Sequence, residues 1–444
     1  MATTGTFPDQ RQELMDRLND ARARSDMLFR IVRREALYDR PIPERHRIVF
    51  YIGHLEAFDW NLIGRRTSGS EPFHEAFDKL FAFGIDPTDG GLPNEPASAW
   101  PALDEVERYS QRIRQAVDSC LADADLSDAA NPLLENGLVF QVAIEHRLMH
   151  AETLAYMLHQ LPHDRKVPEP QAPATPGRGA TPRTVAIPAG IAMLGLAREG
   201  RKAFGWDNEF EEHAREVPGF GIDALDVTNG QFLEFMAARG YEQRELWSEG
   251  GWAWKEQQRV RHPGFWLPGR GETWKWRGMF EDILLPLEWP VYVSHAEAEA
   301  YTRWRGKSLP TEAQFHRAAY ATPEGSERPY PWGHEPPDPT RGNFDFKRWD
   351  PSPVGSHPPG DSAFGVSDLL GNGWEWTRSL FEPFPGFEAF RFYPGYSANF
   401  FDGKHYVMKG GSSRTAACML RRSFRNWFQA YYPYVYASFR CVEN

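Results

Sequence analysis

Over the first 165 residues the apolar positions recur every three or four places, the period of an α-helix with one face turned inward. The runs cover residues 8–34, 48–63, 103–121 and 131–161. The second is entered through PIPERHR, and the fourth opens with NPLLENG and is closed by Pro162. Four such segments with modest loops predict an antiparallel four-helix bundle. Between the second and third lies FGIDPTDGGLPNEPASAWP, a Gly/Pro/Asp stretch with no period, which predicts a loop. After residue 165 the texture changes. EPQAPATPGRGATPR reads as a linker, and beyond it short apolar pieces such as TVAIPAGIAMLG and HYVMKGGS alternate with Gly, Pro and Trp. Helical period returns only at residues 228–239 and 294–305. The predicted class is α+β: a bundle over 1–165, a linker over 166–184, and an irregular domain of short strands and loops over 185–444.

The bundle carries the candidate chemistry. His146 and His150 stand four apart in EHRLMHAETLAYML, so both imidazoles share one helix face. Val139, Ala143, Thr153 and Met157 lie on that face, which makes it the inward stripe. Two inward imidazoles need a common partner, because unpaired buried polar groups are costly, and a metal ion is one such partner. His159 and His163 are an internal control: they have the same spacing, but Pro162 breaks the helix between them. A third ligand has to come from another helix. His54, in YIGHLEAFDWNLI among Phe50, Tyr51, Phe58 and Ile63, has the same inward setting. His46 and His74 flank loops and read as surface residues. Glu152 is placed to orient an imidazole or a substrate. Three neutral nitrogens with open positions suit zinc, iron, copper or nickel, and with no thiolate nearby a closed structural zinc site is disfavoured.

Composition narrows the partners. The chain has 444 residues and a formal net charge of −11 with no basic stripe, which argues against nucleic acid. No apolar run approaches the roughly 20 residues of a membrane helix, and the N-terminus has no apolar signal core. The 3 cysteines form no CxxC pair, consistent with a reducing compartment, and the expected location is the cytoplasm. Aromatic residues make up 14%, with most of the 16 Trp after residue 200. Core filling accounts for most of them, and an aromatic-lined pocket remains open for particular ones.

These motifs resemble a known pairing. A histidine on one helix with HxxxHxE on another, here His54 and His146 to Glu152, looks like a DinB-type bundle. The series WPVYVSHAEAEAYTRWRGKSLPTEAQFHRAA, YPWG, SPVGSHPPGDSAFGVSDLLGNGWEWT, VMKGGS and a late SFR is similar to the sulfatase-modifying, formylglycine-generating domain of C-type-lectin-like fold. Together they resemble the ergothioneine-type sulfoxide synthases and the related selenoneine synthases.

The resemblance implies Fe(II) on His54, His146 and His150 and O2 as co-substrate. The small-molecule substrates it implies are hercynine (trimethylated histidine) and a thiol or selenium donor. It places hercynine contacts on Asn426 and Trp427 in FRNWF, with Phe428 and Trp374 as further walls for the cation, and a tyrosine pair on Tyr393 and Tyr396, with Tyr393 the first choice as proton donor. The chain also departs from the members that use γ-glutamylcysteine. The loop GIDPTDGGLPNEP has no arginine, Phe428 replaces an acidic residue, and Met149 replaces a glutamine. Cysteine or a selenosugar is therefore the expected donor. Cys418 and Cys441 make no convincing pair, so formylglycine generation is not expected. A zinc-dependent thiol transferase and a non-catalytic lectin-like binding module stay open as alternatives.

Overall fold

A computed structural model of the chain describes residues 7–82, 96–128, 130–169, 181–198, 204–271 and 273–443. It divides into two compact units, Met1–Glu169 and Pro170–Asn444. Most of the loop after the second helical run and the middle of the Pro/Ala/Gly stretch lie outside the described residues. Among the described residues no helix is long and apolar enough to cross a membrane.

Four long helices build the first unit: Phe7–Arg30, Ile48–Asp59, Leu103–Asp123 and Leu138–Gln160. The third is amphipathic, burying Leu103, Val106, Ile113, Val117 and Leu121 at helical spacing and leaving its charged face to solvent. The fourth is buried almost all round, as is the second, so these two form the centre of the bundle. The first helix packs mainly on the fourth and the second on the third.

Three boundaries differ by four residues or more from those predicted. The first helix ends at Arg30, four residues early. The second leaves α geometry at Asp59 and continues as a π-turn over Trp60–Gly64. There the Trp60 indole lies over Gly64 so closely that a Cβ would sit 2.5 Å from the ring. The fourth starts at Leu138 rather than at 131. The Asn131 side chain accepts from the Leu133 N–H (3.2 Å), a local turn that competes with helix. Asn136 and Gly137 then adopt φ of 53° and 68°, which no α-helix contains. Its far end is as expected, with Gln160 the last helical residue before Pro162.

The second unit is a mixed α+β structure of small sheets. The largest has four strands in the order Asn426–Gln429, His405–Gly411, Gly373–Leu380, Ala437–Ser438; the first three are antiparallel and the last is parallel to its neighbour. The two helices predicted here appear as Asn229–Ala237 and His295–Trp304, each started by a capping box, Thr228 with Gln231 and Ser294 with Glu297. Two more were missed, Glu249–Gln257 and Glu312–Tyr320. The first opens on Gly250 and Gly251, which read as loop, and for the second TEAQ is a legible capping box. The tryptophans mostly fill the interior: Trp206, Trp266, Trp276 and Trp376 are fully buried. In GNGWEWT, Trp376 donates to the Val293 carbonyl (2.9 Å), and Glu375 forms a buried ion pair with Arg440 (2.6 Å). That motif is a fold determinant.

Candidate metal centre

His146 and His150 sit one turn apart on the central helix Leu138–Gln160, and His54 faces them from Ile48–Asp59. All three are buried, with 4–5% exposure. One ligand nitrogen from each lies within 4.8 Å of the others. His150 Nε2 is 3.3 Å from His54 Nε2 and 3.1 Å from His146 Nε2. His54 Nδ1–H donates to the Phe81 carbonyl at 2.7 Å. A carbonyl only accepts, so the proton is on Nδ1 and His54 Nε2 presents a lone pair to the cluster. The donor set fits a metal ion. Ligand bonds of about 2.1 Å would place two nitrogens about 3.0 Å apart at a right angle and about 3.4 Å apart at a tetrahedral one, which brackets the separations found.

Aromatic rings hold the imidazoles in place. His146 stacks on Phe58 (3.5 Å, 10°) and His54 on Phe50 (4.9 Å, 20°), with Tyr51 beside His150 (5.9 Å). Phe50 stacks in turn on His46 (4.1 Å). This corrects the surface reading of His46: the residue is buried, because the segment entering the second helix lays its ring on the side chain one turn later. His74 is exposed as expected, and its Nδ1 accepts from the Phe77 N–H at the head of helix Glu75–Leu80.

Burial makes the imidazolium form costly. It lowers His54 from 6.5 to about 4, against the pull of the Phe81 carbonyl. Burial, reinforced by the neighbouring imidazoles, takes His146 and His150 well below the ordinary range. At neutral pH the cluster is therefore three neutral nitrogen donors, the form a metal binds.

Met149 is half-buried and Glu152 buried on the same helix. Gly53 was missed in the sequence. A Cβ there would lie 2.5 Å from the Phe81 ring, so only glycine lets Phe81 approach and offer its carbonyl to His54. The Phe81 carbonyl leaves no trace in residue type, because any residue has one. Arg147 was missed too, though a charge between two inward histidines in an apolar run is a visible signal.

In the second unit Tyr396, Trp427 and Tyr393 fall into one aromatic cluster. Trp427 stacks on Phe381 (4.1 Å, 9°) and meets Tyr396 edge-on at 5.4 Å and Phe400 at 5.5 Å. Tyr396 stacks on Trp206 (3.9 Å) and lies 5.6 Å from Tyr393. Asn426 and Phe428 alternate with Trp427 along strand Asn426–Gln429 and so turn to its other face, where Phe428 stacks on Tyr432 (5.2 Å). Trp374 is only 2% exposed and packs on Phe424 (5.9 Å).

Residues 17–154 match the DinB superfamily, and residues 169–444 match the sulfatase-modifying factor enzyme 1-like domain. A hercynine oxygenase of Mycobacterium tuberculosis is 38% identical over 369 residues, spanning 79% of this chain and 85% of its own length. This chain belongs to the hercynine oxygenase family. A second hercynine oxygenase, from Mycolicibacterium thermoresistibile, is 34% identical over 96% of this chain and 93% of its own. An ergothioneine biosynthesis protein 1 of Neurospora crassa is 26% identical over 92% of this chain and 55% of its own. The family's two-part order, DinB-type helices and then a sheet-bearing domain, is the one the sequence motifs suggested.

Proposed function

We propose that this chain joins a thiol or selenium donor to the imidazole carbon of hercynine in an O2-dependent reaction, with Fe(II) held by His54, His146 and His150. One observation carries the reading: three buried imidazoles converge in a chain of this family, with His150 Nε2 3.3 Å from His54 Nε2 and 3.1 Å from His146 Nε2. Iron, when bound, supplies the redox chemistry with O2. Three neutral ligands leave positions open for substrates. The protein's own work is then to orient and to exclude. The Phe81 carbonyl fixes the His54 tautomer, and Phe50, Phe58 and Tyr51 keep bulk water from the imidazoles. Trp427 and Tyr396 offer aromatic faces to the permanent cation of hercynine, each contact worth about 0.5–2 kcal/mol. Asn426 lies on the opposite face of the Trp427 strand, so the proposed cation contacts are Trp427 and Tyr396, and Trp374 packs on Phe424 in the core. Tyr393, half-buried beside Tyr396, holds the transferable proton on its phenolic oxygen. Met149, next to His150, is apolar where a donor rich in carboxylates would need a polar partner. The proposed donor is therefore cysteine or a selenosugar rather than γ-glutamylcysteine.

The test is anaerobic Fe(II) loading followed by air, hercynine and each of the three donors, with mass spectrometry of the products. A new carbon–sulfur or carbon–selenium product, lost together with bound iron in His150→Ala, is expected. No product with any donor, or a normal rate in His150→Ala, refutes the proposal. Turnover with zinc and no O2 uptake would favour a thiol transferase instead.

A further inference from the structure

Charges inside a helical bundle are costly to bury, yet this bundle buries Arg147, Glu56 and Asp59 next to the histidines and extends them through half-buried Arg114 and Asp26. Arg147 follows His146, is fully buried, and turns away from the face that carries the histidines. Its guanidinium donates to Glu56 through both terminal nitrogens (3.0 and 2.8 Å) and to Asp59 (2.7 Å). Glu56 lies two residues after His54 on the second helix. Glu56 also accepts from Arg114 Nε (2.8 Å) on the third helix. The other two nitrogens of Arg114 grip both oxygens of Asp26 (2.7 Å each) on the first. One unbroken run of ion pairs thus ties together all four long helices.

We infer that Arg147, through Glu56 and Asp59, is a positioning residue that sets the affinity of the histidine cluster for its metal. The inference rests on the metal reading above. An apolar seam would hold the helices together with no charge buried, but apolar contacts tolerate sliding. A guanidinium shared between two carboxylates has one good geometry. Sliding matters here because one residue of slip moves a helix by about 1.5 Å and turns it by about 100°. Metal–ligand distances tolerate only about 0.2 Å. The fork joins the residue next to His146 to residues two and five places after His54, within about a turn and a half of the ligands on both helices, where it opposes that slip.

The test uses the full chain, with Co(II) alone as the probe, titrated against a competing chelator and followed by its visible absorption. Arg147→Lys keeps the charge but cannot span both carboxylates. Asp59→Asn removes one arm only and serves should the lysine variant fail to fold. With far-UV circular dichroism retained, Kd should rise roughly 10- to 100-fold in Arg147→Lys and several-fold in Asp59→Asn, with an altered Co(II) spectrum. Folded variants that bind within twofold of wild type with the same spectrum, even if they melt earlier, would show a purely structural role and overturn the inference. Wild-type protein that takes up no Co(II) would overturn the metal reading and this inference together.

Discussion

Gly53→Ala pits two effects of known size against each other. In the middle of a helix the change should stabilise by up to about 1 kcal/mol, because alanine is the better helix former. Against this, the new Cβ would lie 2.5 Å from three atoms of the Phe81 ring. That ring is fully buried among Phe77 (5.6 Å), Tyr109 (5.9 Å), Phe50 (6.3 Å) and Trp100 (6.4 Å), so it has no open space to swing into. Overpacking of this kind costs about 1–3 kcal/mol. If relief comes from moving the Phe81 backbone, the 2.7 Å bond to His54 Nδ1 is lost as well, and a buried N–H without a partner costs about 1–3 kcal/mol more. With the full helix gain subtracted, the net expectation in urea unfolding of the metal-free protein is a loss of about 0–2 kcal/mol if the Phe81 backbone holds and about 1–5 kcal/mol if the bond to His54 goes. Metal binding should weaken roughly 10- to 100-fold, because the imidazole loses its orienting partner. A variant as stable as wild type with the same Kd would mean that Phe81 has slack and that its carbonyl does not position His54.

Acid should release the metal and weaken the fold. His54 is held near 4 when folded against 6.5 as its ordinary value, so the unfolded chain takes up this proton first. Its contribution is intact above pH 6.5 and is lost as pH falls from 6.5 toward 4, about 3 kcal/mol in all. His146 and His150 act in the same direction. Chemical denaturation at pH 7.5, 5.5 and 4.5 measures this, and a flat profile contradicts it. Trp427→Leu should raise the hercynine Kd roughly 2- to 30-fold by calorimetry, in line with the loss of one cation–π face, and leave Co(II) binding unchanged. Equal hercynine affinity removes Trp427 from the site. Thr311→Ala deletes the cap of helix Glu312–Tyr320, whose hydroxyl accepts from the Gln314 N–H (3.1 Å), and should cost about 1 kcal/mol in urea unfolding. No loss would show that tertiary packing alone starts that helix.

What the chain's pattern could say follows from what is periodic or chemically typed. Apolar spacing marks the third helix because a buried stripe recurs every 3.6 residues where a helix is half-buried, while the second and fourth, buried almost all round, show as long apolar runs. His54, His146 and His150 were legible because histidine on an inward stripe is a typed anomaly. Other features were not: helix Glu249–Gln257 opens on two glycines that read as loop, and the break at Asn136 and Gly137 depends on backbone conformation rather than on hydropathy. The burial of His46 was hidden because a loop's return over Phe50 is a matter of three-dimensional path. The sequence by itself determined which residues could bind a metal and which helices would bear them. Only the tertiary structure decided that they meet, through the Phe81 carbonyl, the space at Gly53 and the Arg147 fork. Those are contacts between residues 27 to 91 positions apart, and no local pattern encodes them.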